Sequence, residues 1–140
     1  MKDGKKLHHT IQIRVRYGET DRMGVVHHSA YVLYFEEART AMLRDEGISY
    51  KELEDSGIIL PIYEIHIQYK HPAYYDDILT IETTLEGISG VRIAFSYKVT
   101  DGSGTLLATA QTTLIFTDSQ RFKPVRPPES VLQLVSDRIF

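Results

Sequence analysis

Cysteine is absent from this 140-residue chain. That excludes disulfides, a thiolate nucleophile and Cys-ligated zinc, and it fits a reducing compartment. Tryptophan is absent as well. No apolar run approaches the roughly 18 residues that a membrane helix needs, so no membrane span is expected. The segment Met1 to His9 is charged and lacks the apolar stretch of a signal peptide, which makes a cytoplasmic location the expectation. An excess of basic residues is also missing. Lys and Arg number 16 against 19 Asp and Glu, a net charge of −3, and binding to nucleic acid phosphates asks for the opposite balance. No repeat, low-complexity tract or linker interrupts the chain, so one domain over residues 1–140 is expected.

With 42% hydrophobic residues, the chain has enough apolar material to bury a core. Five segments alternate with period two. Ile11, Ile13, Val15 and Tyr17 oppose Gln12, Arg14 and Arg16; Tyr63, Ile65, Ile67 and Tyr69 oppose Glu64, His66, Gln68 and Lys70. Leu79 to Leu85 and Val91 to Val99 follow the same rule, and a last segment runs from Thr105 to Thr117. One buried face per strand predicts an antiparallel sheet covered on one side. Gly87-Ile88-Ser89-Gly90 and Asp101-Gly102-Ser103-Gly104 read as hairpin turns. Pro72 ends the second strand.

Between the first and second strands lies the longest helical pattern. Tyr31, Tyr34, Phe35, Ala38, Ala41 and Met42 recur at helical spacing, Ser29 stands at the N-cap and Gly47 at the end. The first two turns are apolar nearly all round, which predicts a helix enclosed by the sheet. Short helices are expected over Tyr50 to Ser56 and after Pro127-Pro128. The fold class read from this order is α+β: a curled five-stranded antiparallel sheet wrapped around one long central helix. The nine tyrosines suit crevices and subunit interfaces, although ordinary core and strand filling accounts for most tyrosines.

The chemistry-bearing stretch joins the first strand to that helix. A strand-like run reaches Asp21, crosses Gly24 and enters the helix past Val25, Val26, His27 and His28. It sets a carboxylate beside the positive end of a helix, where a developing oxyanion is stabilised. Taken alone, Asp21 is more often a turn or capping carboxylate than a catalytic one.

This stretch, Tyr17-x-x-Thr20-Asp21-x-x-Gly24-Val25-Val26-x-His28-x-x-Tyr31-x-x-Tyr34-Phe35-Glu36, resembles the 4-hydroxybenzoyl-CoA thioesterase/YbgC family of the hotdog fold. So does the later His71-Pro72-Ala73-x-Tyr75-Asp76-Asp77-x-Leu79 segment. The resemblance covers nearly the whole chain. It implies an acyl-CoA thioesterase in which Asp21 attacks the thioester carbonyl or activates water. It assigns the polarising backbone amide to His28, and the close turn past the acyl group to Gly24. The family usually carries an aromatic residue where this chain has His27, a departure that bears on the shape of the acyl pocket. It also implies a homo-oligomer, dimer or tetramer. No metal and no cofactor are expected, coenzyme A being part of the substrate.

Other residues carry two readings each. His27 and His28 invite a metal, but neighbouring residues of a helix point about 100° apart, and no HExxH-like pattern supplies a third ligand. His28 as a hydrogen-bonding side chain near the thioester competes with a histidine that merely orders the loop. Glu36 is the reserve carboxylate, against a plain salt bridge with Arg39. Glu19, two residues before Asp21, reads as a solvated loop acid, against a paired carboxylate acting with Asp21. Arg121, Lys123 and Arg126 are candidates for the CoA phosphates, against a solvated basic loop. Val25, Tyr31, His66, Tyr69 and Lys70 are candidates for the acyl or pantetheine channel. The substrate expected is a small to medium aliphatic or aromatic acyl-CoA. An acyl carrier protein thioesterase, a non-catalytic acyl-CoA-binding protein and a hydratase on the same fold stay as alternatives.

Overall fold

A computed structural model describes residues 6–135; residues 1–5 of the charged N-terminal segment and residues 136–140 lie outside the described part. Five strands form one antiparallel sheet: β1 (Leu7–Arg14), β3 (Ile62–Tyr69), β4 (Ile78–Ser89), β5 (Arg92–Thr100) and β6 (Leu106–Ile115), in the order β1-β4-β5-β6-β3. The register follows the alternation in the sequence. Ile81 faces Val99 across β4 and β5, and Tyr97 faces Ala110 across β5 and β6. Leu79, Ile81, Leu85, Ile93, Phe95, Tyr97, Val99 and Leu114 are buried on one face of the sheet. Glu82, Lys98 and Gln111 stand on the other, open to solvent. Small Ala108 and Ala110 are buried on β6.

Helix α1 (Ala30–Asp45) packs against β1 and β4. Its buried residues are Ala30, Tyr31, Tyr34, Phe35, Ala38, Arg39, Met42 and Leu43, pairs four apart that make a single stripe. The enclosed central helix expected from the sequence is corrected by its other side. Leu33 is 62% exposed, and Glu36, Glu37 and Arg44 are also open to solvent. The helix lies on one face of the sheet and is not wrapped by it. Its end is a Schellman motif: the Ile48 N–H reaches the Leu43 carbonyl at 2.8 Å and the Gly47 N–H reaches Arg44 at 2.9 Å. Gly47 has φ 86°, the left-handed value this motif needs.

Short helix α2 (Tyr50–Asp55) starts where expected, with Ser49 accepting the Glu52 N–H. Helix α3 (Glu129–Leu132) follows Pro128. Two details depart from the sequence reading. Strand β4 runs on past Gly87 through a bulge between Leu85 and Gly87, so the β4–β5 turn falls at Gly90 and Val91. The last long strand stops at Ile115, and two-residue strands β2 (Ile58–Ile59) and β7 (Thr117–Asp118) pair separately. Among the described residues, no helix is long and apolar enough to cross a membrane.

Candidate active site

Two distant stretches of sequence meet at the start of α1. After β1, the Val15 N–H donates to Asp77 and the Asp76 N–H returns to Val15, at 2.9 and 3.0 Å. The chain makes a 3-10 turn over Tyr17–Glu19 and then runs beside residues 73–75. There Val26 N–H bonds the Ala73 carbonyl at 2.8 Å, and Val25 bridges Tyr74. The Asp21 and His71-Pro72-Ala73 motifs therefore form one wall.

Asp21 heads a tight turn. Its N–H donates to Val25 O at 2.8 Å, and its carbonyl accepts the Gly24 N–H at 3.0 Å. Gly24 has φ 78°, a backbone value that side chains disfavour. The Asp21 Oδ1 accepts N–H groups from Met23 (2.9 Å) and Val25 (3.1 Å). Oδ2 has no protein partner among the described residues. One oxygen thus anchors the carboxylate while the other is free.

The helix entry is built from histidine where serine was expected to cap. Ser29 Oγ makes no capping bond. Instead Ser29 N–H donates to His27 Nδ1 at 3.2 Å, and Ser29 Oγ lies 2.8 Å from the same nitrogen. The His28 ring stacks on His27, centroids 4.2 Å apart. The His27 N–H is committed to Glu19 O at 2.8 Å. The next amide, His28 N–H, has no protein acceptor among the described residues. Residue 28 is held in place from beyond the helix, because the Tyr69 hydroxyl donates to its carbonyl at 3.1 Å.

These groups line an open cleft of about 510 Å³ that holds Asp21, Val25, His27, His28, Tyr31 and Tyr69 together. Lys70 borders it too. Among the described residues, no group of three or more His, Asp or Glu is arranged to hold a metal ion.

Residues 15–135 match the thioesterase-like superfamily. The chain belongs to that superfamily. Acyl-CoA thioester hydrolase YbgC of Escherichia coli O6:H1 is 32% identical over 120 residues, 86% of this chain and 90% of its own. The crystal structure of DHNA-CoA thioesterase from Staphylococcus aureus matches with a TM-score of 0.83 and 34% identity, over 85% of this chain and 80% of that one. Slr0204, a 1,4-dihydroxy-2-naphthoyl-CoA thioesterase from Synechocystis, gives a TM-score of 0.86 at 26% identity, over 93% and 96%. The protein is a thioester hydrolase of the hotdog fold.

Several expected site residues of this thioesterase lie elsewhere. Glu36 sits one residue past buried Phe35, hence about 100° round the helix, and borders a separate groove with Leu33, Thr40 and Arg44. It makes no ion pair with Arg39, which is buried with Nε donating to the Tyr50 hydroxyl at 3.3 Å. His66 points to the outer face of the sheet, beside Gln68, Lys98 and Gln111, with Nε2 3.2 Å from Glu64. Arg121, Lys123 and Arg126 follow β7, beyond the far end of β6. The cleft sits at the near end, where Lys70 and His71 N–H groups bond Leu107 O. A ten-residue strand separates them by roughly 30 Å. Within one chain they are remote from Asp21. Conversely, the reading of individual residues passed over Val26, His71, Pro72 and Ala73 as cleft residues. The last three were visible only as part of the second motif.

Glu19 is the largest surprise. Far from being solvated, its carboxylate is largely buried: Oε1 accepts the Arg16 N–H and the Tyr34 hydroxyl, each at 2.8 Å, and Oε2 pairs with the Arg16 guanidinium at 2.9 Å. Burial pushes the carboxyl up, but the bonds from Arg16 and Tyr34 outweigh it and hold it below 4.5. The ionised form is therefore favoured in the folded state. Its contribution is complete above the ordinary carboxylate range and fades as pH falls through the lowered value. Glu19→Gln is expected to cost about 1–2 kcal/mol near neutral pH, and the gap to wild type should close in strong acid. Urea midpoints measured at the two ends check this.

Proposed function

We propose that this enzyme hydrolyses small to medium aliphatic or aromatic acyl-CoA thioesters to the free acid and CoA. One observation carries the reading. The Asp21 carboxylate is anchored through Oδ1 with Oδ2 free, in the cleft that also holds residue 28, whose N–H is uncommitted. The thioester oxygen takes the His28 N–H, near the positive end of α1. Such a donor is typically worth about 3 kcal/mol to the transition state. Asp21 then acts in one of two ways. It attacks the carbonyl carbon, forming a C–O bond as the C–S bond breaks, and water cleaves the resulting anhydride. Alternatively, it takes a proton from the attacking water. In both, CoA leaves as a thiolate and needs little help from an acid, so a lone carboxylate suffices.

This chemistry calls on no cofactor. A dimer or tetramer in the cytoplasm belongs to the same proposal, since the cleft borders edge strand β3, whose outer backbone is unpaired among the described residues. Thiol release from aliphatic and aromatic acyl-CoAs, run beside matched acyl carrier protein thioesters, tests the reading. Turnover should be found with CoA esters. Binding of acyl-CoA without thiol release would make the protein a non-catalytic binder, and faster turnover of carrier esters would move the substrate to the carrier.

A further inference from the structure

We propose that the Tyr31 hydroxyl selects the acyl group, donating a hydrogen bond to an oxygen substituent on it, so that hydroxy- or oxo-acyl thioesters are preferred over unsubstituted ones. The proposal rests on the Asp21 reading above and adds to it the residue that chooses the substrate.

Tyr31 is only 3% exposed and lines the cleft. Its hydroxyl has no protein partner among the described residues. The fully enclosed side-chain atoms without partners are His9 Nδ1, Arg39 Nη1 and Thr83 Oγ1. The Tyr31 oxygen is not one of them, so it keeps an opening, and the opening this residue borders is the cleft.

The ring cannot swing away to find another partner. It packs edge-on to Tyr69 (5.3 Å, 80°) and Tyr34 (5.6 Å, 67°), and tilted against Phe35 at 6.2 Å. Side chains on a helix lean toward its N-terminus, which carries this ring over the turn of His27 and His28. The cleft's other tyrosine is already engaged, because the Tyr69 hydroxyl serves the His28 carbonyl. Burial first, then neighbouring Tyr69, push the Tyr31 phenol up to about 12, so it stays a donor at neutral pH.

Phenylalanine would supply the same wall without a hydroxyl to satisfy. In the free enzyme, the opening leaves that hydroxyl accessible to water. An acyl group that displaces the water must replace its hydrogen bond or leave the hydroxyl unpaired. An oxygen substituent replaces it; a plain alkyl or phenyl group does not.

The test uses two matched pairs, 3-hydroxybutyryl-CoA with butyryl-CoA and 4-hydroxybenzoyl-CoA with benzoyl-CoA. Wild type should favour the oxygenated member of at least one pair by about tenfold in kcat/KM, the scale of one hydrogen bond. Tyr31→Phe should bring that ratio close to one. No wild-type preference in either pair, or a ratio unchanged by Tyr31→Phe, overturns the proposal. An equal fall for both members also overturns it, because the hydroxyl would then act on the thioester itself. The wild-type ratio is read without any variant, so a folding defect in Tyr31→Phe does not shield the idea. If wild type hydrolyses none of the four esters, the Asp21 reading fails first, and that result is distinct from hydrolysis without discrimination.

Discussion

Asp21→Asn should lower kcat for acyl-CoA hydrolysis by at least about 100-fold, the scale of a central acid–base or nucleophilic group. Its melting temperature should stay close to that of wild type. The asymmetry between the two carboxylate oxygens is the reason. The amide oxygen of asparagine can still accept the Met23 and Val25 N–H groups, so the turn keeps its shape. What disappears is the negative charge on the other oxygen, and with it both the attack on the carbonyl and the activation of water. Asp21→Ala removes the turn bonds as well, so it should lose activity and some stability together. The comparison separates chemistry from scaffolding. A single turnover in ¹⁸O-water divides the two routes further: label in Asp21 marks attack by the carboxylate, because only an anhydride exposes that carbon to water. Full activity in Asp21→Asn would remove the residue from the reaction and leave the cleft without its proposed catalyst.

The sheet was legible because burial on one side writes itself as alternation, and β1, β3, β4, β5 and β6 all appeared near their true positions. The failures share a physical cause. A bulge adds a residue and breaks the period, so Gly87 looked like a turn although β4 continues through Ile88 and Ser89. Two-residue strands such as β2 and β7 are shorter than any period. The helix was placed correctly in sequence but misread in its surroundings. Leu33 is apolar yet exposed, and composition alone does not say which apolar residues face the sheet.

The site shows the same division between what is local and what is not. Asp21, Gly24 and His28 lie within one turn and its helix entry, so their grouping follows from spacing. Glu36 and His66 fall outside the cleft of one chain by phase: each sits next to an inward residue, and one step along a helix or strand turns a side chain away. Arg121, Lys123 and Arg126 stand apart from the cleft within one chain by distance, since sequence position does not tell which end of the sheet a loop occupies. Glu19 failed because its partners, Arg16 and Tyr34, come from a 3-10 turn and a helix that bring them together only in three dimensions.

Phe35→Ala should produce the largest loss of stability of any substitution considered, about 3–5 kcal/mol. Phe35 has no exposed surface, and its ring lies 4.5 Å from that of Tyr97, across the contact between α1 and β5. Truncation removes the buried ring and leaves a cavity that the pleated sheet on one side and the helix on the other cannot both close around. Against the 5–15 kcal/mol typical of a folded domain, the melting temperature should fall by roughly 10–17 °C. Activity should suffer even where the variant remains folded, because Phe35 also supports Tyr31, which in turn forms the cleft wall. Phe35→Leu keeps most of the volume and should cost far less on both counts. Thermal unfolding and thiol release at low temperature measure the two effects separately. A fall of only a degree or two for Phe35→Ala would mean that α1 does not rest on the sheet through this ring, and the support for the Tyr31 wall would have to come from Tyr34 and Tyr69 instead.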